Sequence, residues 1–300
     1  MKRVALALFL VVGTTALAGS RPPPVETKVV PTGEAPCGVT ARAGRLWLGV
    51  YGTGRLLSID GTRGSVESRT RVGRWACRVA VGRAAIWVTR DQAGELVRVA
   101  RGSGRLTRVP VGAAPFDIVL AAGSVWVTSF ETGVVAELDA GSTKLQRVYK
   151  VGPNPAGITS CRGRIWVGHG REARWLTAIE PRTHRVRRVD VDTNNPGWPR
   201  CIRNELWVTT SDSVLRIDAE SGNVLDRLRL GGTPAEAAGA PDGLVWVTDK
   251  ERSLVHRVDP ARVELVDSFA AGAGAFSLVR VGTAMWVTSF AGADVRRYSP

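Results

Sequence analysis

The sequence predicts an all-β protein, a seven-bladed β-propeller of four-stranded antiparallel blades. The first observation is a tetrad that occurs seven times: an apolar residue, Trp, Val or Leu, and then Thr or Gly. The second is its spacing, because successive tetrads are 39 to 41 residues apart. The third is a set of short strand-like runs between Gly-rich turns. A period near 40 built from such runs is typical of propellers. The tetrad tryptophans are Trp47, Trp87, Trp126, Trp166, Trp207, Trp246 and Trp286.

Each repeat predicts four strands, and the third repeat shows them most clearly. Its innermost strand covers residues 115–120, and the second covers 125–128. The third covers 134–139 and the fourth 145–151. Apolar and polar residues alternate in these runs, and Gly, Ser and Asp fill the breaks, which favours strands over helices.

Residues that recur in every repeat indicate structural roles. We expect each tetrad tryptophan to pack between adjacent blades. An acidic residue ends most third strands, where it can accept hydrogen bonds from the backbone of the following turn. These acids are Asp60, Asp139, Asp218, Glu180 and Asp259.

The two ends of the chain predict how the ring closes. The last repeat supplies only three strands, the third of which covers 294–298. The missing fourth strand resembles residues 26–30 near the other terminus. We therefore expect the N-terminal strand to pair with the last blade, which removes an exposed sheet edge.

The N-terminus has the features of a cleaved signal peptide. Lys2 and Arg3 precede an apolar run over 4–12, and residues 16–18 form an A-x-A cleavage site. An uncleaved anchor is the alternative, although the run is shorter than the roughly 20 residues of a membrane span. Ser20 stands where a lipoprotein has its lipidated cysteine, which excludes a lipid anchor. We expect a monomer exported to the periplasm or the medium, without membrane-spanning segments. The expected divisions are signal peptide 1–18, linker 19–25 and propeller 26–300.

The formal charge is +14 and comes mainly from arginine. Many arginines fall on the outer two strands of each repeat. One hypothesis is attraction of this rim to an anionic envelope polymer; the alternative is a solvated belt that serves solubility. Export argues against nucleic acid as a partner. The outer arginines include Arg98, Arg105, Arg108, Arg185, Arg187, Arg188, Arg227 and Arg229.

Four cysteines form two pairs with repeat spacing. Cys37 and Cys77 are 40 residues apart, as are Cys161 and Cys201. Four cysteines permit three connectivities, but equivalent positions in neighbouring blades lie close together. We therefore predict the disulfides Cys37–Cys77 and Cys161–Cys201, which an exported protein can form. The alternative, a metal cluster, lacks CxxC spacing and nearby histidines.

The irregular features of the sequence map to one end of the propeller, which we call the mouth. The mouth carries the second-to-third-strand and the inter-blade connections. Aromatic residues collected there suggest a recognition surface for a small molecule or an envelope ligand. The alternative is that Phe116 and Phe276 plug the channel. The mouth aromatics are Tyr51, Trp75, Phe116, Phe130, Trp175, Trp198, Phe276 and Phe290.

Two sets of variable polar residues are expected around the mouth. The inner-strand ring is Gly38, Arg78, Asp117, Gly157, Trp198, Glu236 and Ser277. The second-strand ring, three residues after each tetrad tryptophan, is Val50, Arg90, Ser129, His169, Thr210, Asp249 and Ser289. Two irregular loops, 169–174 and 193–200, add further candidates. The predicted binding residues are Trp75, Arg78, Arg90, Asp117, Phe130, His169, Trp175, Trp198, Arg200, Glu236, Asp249 and Phe290.

Catalysis has one candidate residue, His169. Beside Asp117 or Glu236 it could act as a general acid or base; the alternative is an ordinary hydrogen-bonding histidine. Asp117, Glu236 and Asp249 could hold Mg²⁺ or Ca²⁺ through oxygen ligands if the protein is an enzyme. No G-x-S-x-G, P-loop or HExxH motif occurs. The cofactor therefore stays open.

The segments 151–158, 165–168 and 217–222 resemble the YVTN-repeat propellers, whose units read V-G-x-x-P-x-G, Y-V-T-N and I-D-x-x-x-G. The likeness extends over 26–300, with Trp in place of the Tyr. The chain is also similar to the streptogramin (virginiamycin B) lyases, seven-bladed propellers that open a cyclic lactone by magnesium-assisted elimination. Those enzymes use a His and paired Glu at the mouth of the late blades. No His occurs there in this chain, so no catalytic residue is carried over.

Three functions therefore compete. The first is an exported binding module that uses its aromatic and polar mouth. The alternative is a metal-assisted lyase that uses His169, and the third is an assembly scaffold that uses the basic rim.

Overall fold

The fold is given by a computed structural model, which describes residues 22–300. This part of the chain contains 28 strands, arranged in seven four-stranded antiparallel sheets. The seven-bladed propeller predicted from the repeats is confirmed. The predicted signal peptide, residues 1–18, lies outside the described residues.

Strand bounds follow the repeat closely. Blade 1 comprises β2 (Pro36–Arg42), β3 (Arg45–Val50), β4 (Arg55–Asp60) and β5 (Val66–Arg71). Blade 2 comprises β6 (Ala76–Val81), β7 (Ala85–Arg90), β8 (Glu95–Ala100) and β9 (Leu106–Pro110), with a 3₁₀ turn at Asp91–Ala93. Blade 3 comprises β10 (Pro115–Ala121), β11 (Ser124–Ser129), β12 (Val134–Asp139) and β13 (Leu145–Lys150). Blade 4 comprises β14 (Pro155–Cys161), β15 (Arg164–His169), β16 (Trp175–Ile179) and β17 (Val186–Asp190).

The later blades continue the same order from the inner to the outer strand. Blade 5 comprises β18 (Trp198–Ile202), β19 (Glu205–Thr209), β20 (Ser213–Asp218) and β21 (Val224–Arg229). Blade 6 comprises β22 (Pro234–Gly239), β23 (Val245–Asp249), β24 (Leu254–Asp259) and β25 (Glu264–Ala270). Blade 7 comprises β26 (Ala275–Val281), β27 (Ala284–Ser289), β28 (Asp294–Ser299) and β1 (Val25–Pro31).

The ring closes as the sequence predicts, with the N-terminal strand at the outer edge of blade 7. β1 pairs antiparallel with β28, and Val30 lies opposite Val295. The Thr32 amide donates to the Ala293 carbonyl at 3.0 Å beyond the end of the ladder. The first and last strands of the described chain therefore share one sheet, and the last blade has no missing strand.

In residues 22–300 the apolar core consists of seven clusters, one at each interface between neighbouring blades. Each cluster contains one tetrad tryptophan. Trp166 of blade 4, for example, packs with Leu206 and Val208 of blade 5. Trp286 of blade 7 packs with Leu46 of blade 1, which joins the two ends of the repeat array. The tryptophans therefore serve the blade interfaces, since an aromatic ring buries a large apolar area there.

Both predicted disulfides are confirmed. Cys37–Cys77 joins blades 1 and 2, with Cα atoms 4.9 Å apart. Cys161–Cys201 joins blades 4 and 5, with Cα atoms 5.4 Å apart. Two disulfides are consistent with a protein that resides outside the cytoplasm.

The turn role predicted for the acids that end the third strands is confirmed for the aspartates, Asp259 included, whereas the Glu180 carboxylate accepts from the Thr183 hydroxyl at 3.0 Å. Asp60 Oδ1 accepts from the amides of Thr62 at 2.8 Å and Arg63 at 2.7 Å. Asp139 and Asp218 accept from turn amides in the same way. These backbone hydrogen bonds lower the pKa of all three carboxyls.

The outer arginines lie on or beside the outer strands, as expected. Arg188 and Arg229 are largely exposed, and they pair with Asp190 at 2.7 Å and Asp212 at 3.0 Å. Exposed pairs of this kind contribute little to stability. Within residues 22–300, no helix is both long and apolar enough to span a membrane.

Candidate functional site

The inner strands aim one set of side chains into the channel at the mouth. In blades 1, 2, 3, 4, 6 and 7, the pairing of the inner strand with the second strand shifts register near its first residues. Such a bulge redirects a side chain, and the shifted stretch contains Arg78, Asp117 and Glu236. Blade 5 pairs without a shift. Trp198 and Arg200 are two residues apart on that strand, so both lie on the same face.

Four charged residues of the inner strands meet across the channel, and we call them the axial charge cluster. Arg78 contacts Glu236 through Nη1, and its Nε lies 4.0 Å from Asp117 Oδ1. Arg200 donates to Glu236 at 3.0 Å and to Asp117 at 3.3 Å. Ser277 donates to the second oxygen of Glu236 at 3.0 Å. Blades 2, 3, 5, 6 and 7 are thereby connected through polar contacts on the axis.

Opposite charges in the cluster favour the ionised forms of Glu236 and Arg200. Burial disfavours the ionised form of Glu236, but Arg78 and Arg200 outweigh that effect and hold its pKa below the usual value. Burial likewise disfavours the charged form of Arg200, but Glu236 and Asp117 raise its pKa. Removing one member would leave a buried charge without its partner.

A cavity of about 310 Å³ lies along the axis on the inner-strand faces. We call it the axial cavity. The axial charge cluster lines it, together with apolar side chains such as Val39, Val79, Ile118 and Ile158. The channel is therefore not filled along its whole length, and Arg78 and its partners form one boundary of the space.

Five mouth aromatics form a continuous series of ring contacts, which we call the aromatic arc. It comprises Phe130, Phe116, Trp198, Phe276 and Phe290. Successive ring centroids in that order are 5.1, 5.5, 6.0 and 5.8 Å apart. These distances fall within the range of favourable ring contacts. Residues from three blades thus build one aromatic surface, as the clustering in the sequence suggests.

Beside this arc lies a cavity of about 260 Å³, the mouth pocket. The Arg78 guanidinium is 4.3 Å from the Trp198 ring and 4.8 Å from the Phe276 ring, which places it between two aromatic faces. The Lys250 ammonium is 5.1 Å from the Phe276 ring and 4.5 Å from the Phe290 ring. The pocket residues are Cys37, Tyr51, Cys77, Arg78, Asp91, Phe116, Trp198, Lys250, Phe276 and Phe290.

One hydrogen-bonded pair, Tyr51 and Asp91, adds polar groups to this pocket. The Tyr51 hydroxyl donates to Asp91 Oδ2 at 3.3 Å. Burial and the neighbouring carboxylate raise the pKa of Tyr51, and burial raises the pKa of Asp91. The pocket therefore combines apolar rings with basic groups and one acid.

The second-strand ring has a different place in the structure. His169 is fully buried, and its Nδ1 lies 2.9 Å from the Pro153 carbonyl and its Nε2 2.9 Å from the Thr177 hydroxyl. Burial lowers the pKa of His169. Both ring nitrogens are thus engaged within blade 4 and its inter-blade connection, whereas the contacts of Asp117 and Glu236 lie on the axis. The catalytic role of His169 stays a prediction.

Arg90 and Asp249, like His169, bond within their own blade and its connections. Arg90 pairs with Glu95 and donates to the Arg74 carbonyl at 3.0 Å. Asp249 is fully buried, accepts from the Arg252 amide at 2.9 Å and lies 3.5 Å from His256 Nε2. Their charges serve connections at the mouth end of single blades.

Trp75 and Trp175 lie at the mouth end but do not line the mouth pocket. Trp175 borders a separate open groove of about 510 Å³, together with Asn154 and Arg171. The Arg188 guanidinium lies 4.2 Å from the Trp175 ring. Trp75 lies beside Arg74, with 5.6 Å between the guanidinium and the ring. The structure therefore divides the predicted binding residues. Some line the mouth pocket, Asp117, Arg200 and Glu236 line the axial cavity, and the others bond within single blades or border other parts of the mouth end.

Apart from the disulfide cysteines, the predicted binding residues omit five that line the mouth pocket: Tyr51, Asp91, Phe116, Lys250 and Phe276. Phe276 adjoins the inner-strand ring, and Lys250 directly follows Asp249 of the second-strand ring. Extending each ring by one position would have found both. Asp91 follows Arg90 in the same way, and its chemistry depends on Tyr51 from another blade.

The acids at the mouth do not fit a divalent cation. Asp117 and Glu236 are neutralised by two arginines, and Asp249 is engaged by His256 and backbone amides. Within residues 22–300, no group of three or more His, Cys, Asp or Glu side chains is arranged to hold a metal ion. Mg²⁺ and Ca²⁺ need several free oxygen ligands, which these acids do not offer.

Comparison with solved structures gives the same architecture. A streptogramin B lyase structure superposes with a TM-score of 0.78 at 16% identity, covering 92% of this chain and 96% of the other. A catalytically inactive histidine-to-alanine variant of virginiamycin B lyase from Staphylococcus aureus, with quinupristin, gives 0.79 at 15% identity, covering 91% and 99%. The WD40 propeller domain of Doa1 gives 0.76 at 9% identity, covering 92% and 96%.

The shared property is the fold. Sequence identities of this size say nothing about activity, because one fold serves many functions. No protein-family model and no curated protein matches the chain.

Proposed function

We propose that this propeller is an exported binding module that holds a small, flat, largely apolar molecule in the mouth pocket. The observation that carries the proposal is the pocket itself, about 260 Å³ with five aromatic side chains and two basic side chains on its wall. Ligand sites are commonly concave and aromatic, with a few polar groups that fix orientation.

The scaffold around the pocket supports this role, since its wall is held by several independent restraints. The disulfide Cys37–Cys77 lies in the wall and fixes blade 1 to blade 2. Arg78 is held from one side by Glu236 and from two faces by Trp198 and Phe276. A wall fixed in this way loses little conformational entropy when a ligand binds.

Export is part of the proposal because the N-terminal sequence and the cysteines point the same way. The predicted signal peptide precedes a chain whose four cysteines are all paired. Disulfides persist in oxidising compartments. N-terminal sequencing of the protein recovered from the periplasm or the medium should therefore start after Ala18.

Equilibrium binding of naphthalene-2-carboxamide, a flat neutral probe, tests the pocket. Phe276→Ala removes a ring from the wall and should weaken binding by roughly tenfold. Phe269→Ala is the matched control, because Phe269 packs on Trp246 and Tyr298 away from the pocket, and it should leave the dissociation constant unchanged. Absence of binding to the wild type, or equal loss in both variants, would refute the proposal.

One experiment tests the alternative that the protein is a lyase. The lyase hypothesis requires turnover of a cyclic ester that is sensitive to a chelator and lost in His169→Ala. The contacts of His169 with Pro153 and Thr177 give it a structural role, and the acids at the mouth lack a free ligand set for Mg²⁺. We therefore favour binding without turnover.

A further inference from the structure

Two basic groups at the mouth pocket have donor capacity that no described residue takes up: Nη2 of Arg78 and the Lys250 ammonium. Arg78 is 4% exposed, and its Nη2 has no hydrogen-bond partner within residues 22–300. In the same part of the chain, no carboxylate forms an ion pair with Lys250, whose ammonium lies over the rings of Phe276 and Phe290. A buried donor without a partner is destabilising and is uncommon in native proteins. Nη2 of Arg78 is such a donor, whereas the ammonium of the exposed Lys250 can bind an anion directly at the pocket.

The positions of Arg78 and Lys250 indicate which chemical group of a ligand could bind to both. Phe276 contacts both basic groups, since Arg78 lies 4.8 Å and Lys250 5.1 Å from its ring. A group that accepts hydrogen bonds from both would therefore sit beside this ring. A carboxylate is such an acceptor, and charge-assisted hydrogen bonds to Arg or Lys are among the strongest in proteins.

We propose that the ligand of the mouth pocket is a small aromatic carboxylate, whose carboxylate lies between the Lys250 ammonium and Nη2 of Arg78. This inference rests on the proposed function and adds the charge of the ligand to it. The aromatic body would lie against Phe276 and Phe290. The acid of the pocket, Asp91, is already bonded to Tyr51, which leaves Lys250 and Arg78 to bind the carboxylate.

A matched pair of probes separates this inference from the proposed function. Naphthalene-2-carboxylate and naphthalene-2-carboxamide share one ring system and differ in charge. Wild-type protein should bind the carboxylate more tightly. Lys250→Met should weaken the carboxylate by about tenfold and leave the amide unchanged. Lys144→Met is the control, because Lys144 is exposed in a turn at the opposite end of blade 3, and it should change neither affinity.

The outcomes are distinguishable. If both probes bind equally and Lys250→Met affects them alike, the carboxylate assignment is wrong while the pocket stands. If neither probe binds, the proposed function fails together with the inference. Lys250 is exposed, so its replacement should leave the thermal unfolding midpoint unchanged, and that midpoint checks each variant.

A pH titration supplies a second, independent test. Loss of water around the Lys250 ammonium, together with repulsion from Arg78, lowers its pKa from 10.5. Carboxylate affinity should fall as the pH rises through that lowered value. Lys250→Arg should keep the affinity and remove the fall, because guanidinium stays protonated. The other titratable groups of the pocket are Tyr51 and Asp91, with Glu236 behind Arg78; a fall that persists in Lys250→Arg would assign it to them and contradict the inference.

Discussion

The inner-strand ring and the second-strand ring look alike in sequence but differ in the structure. In both rings, a position that recurs in every repeat carries a different and often polar residue in each blade. Arg78, Asp117 and Glu236 of the first ring meet across the axis. His169 and Asp249 of the second ring bond within their own blades and connections. A residue type that varies at a repeated position therefore indicates hydrogen bonding that differs from blade to blade. Whether such a residue can contact a ligand depends on the direction of its side chain.

The physical cause of the difference is the backbone around each ring. Register shifts at the start of the inner strands redirect their side chains into the channel. The second-strand ring sits where a regular strand ends. His169 and Arg90 of this ring bond to the inter-blade connection that precedes their blade and to the third strand of the same blade. Residues of the first ring from different blades thus face one another, whereas those of the second ring are separated by blade interfaces.

The largest expected effect is the loss of an axial charge. Glu236→Gln removes the carboxylate that binds both Arg78 and Arg200. Because Asp117 is then the one carboxylate of the axial charge cluster left to compensate both the buried Arg78 and the partly buried Arg200, the free energy of unfolding should drop by about 3–5 kcal/mol. Urea denaturation measures this. Glu220→Gln, which breaks the exposed pair with Arg162, should cost at most about 1 kcal/mol; equal losses would remove the distinction between axis and surface.

The two disulfides provide the next comparison. Both close loops with a sequence separation of 40, so replacing either pair by serines should cost a similar roughly 2–4 kcal/mol. Only Cys37–Cys77 lines the mouth pocket. Its removal should also weaken binding of naphthalene-2-carboxamide, whereas removal of Cys161–Cys201 should not. Equal effects on binding would mean that the pocket depends on global stability alone.

The smallest expected effect is on the pH dependence of the free energy of unfolding, and it comes from His169 of the second-strand ring. Burial lowers the pKa of His169 in the folded protein, so its contribution to stability is complete above the unfolded-state value near 6.5 and is lost as the pH falls. The free energy of unfolding should therefore decrease between pH 7 and pH 5.5. His169→Gln should reduce that slope by up to about 1.4 kcal/mol per pH unit. An unchanged slope would show that His169 does not titrate on unfolding.

Much of the fold could be predicted because the repeat encodes it directly. The tetrad tryptophans, the turn acids and the cysteine spacing each report a local rule that operates in every blade. Ring closure by β1 also follows from counting strands. Such features depend on neighbours in sequence or in the adjacent blade.

The site was less predictable because its residues meet across the axis. The contact between Arg78 and Glu236 joins blades 2 and 6, and no periodicity in the sequence records it. Blade 5 lacks the register shift, so Arg200 reaches the axis in addition to Trp198. The pocket role of Lys250 depends on the rings of Phe276 and Phe290, which come from the next blade.

The most direct test of the mouth pocket uses the ten tryptophans of the chain as reporters. Their indole N–H signals can be followed by ¹H–¹⁵N spectroscopy during titration with naphthalene-2-carboxylate and assigned by single Trp→Phe variants. We expect the Trp198 signal to shift, while the signals of Trp175 and the tetrad tryptophans stay in place. Shifts centred on Trp175, with Trp198 unchanged, would contradict the account and move the binding site to the groove beside Arg171.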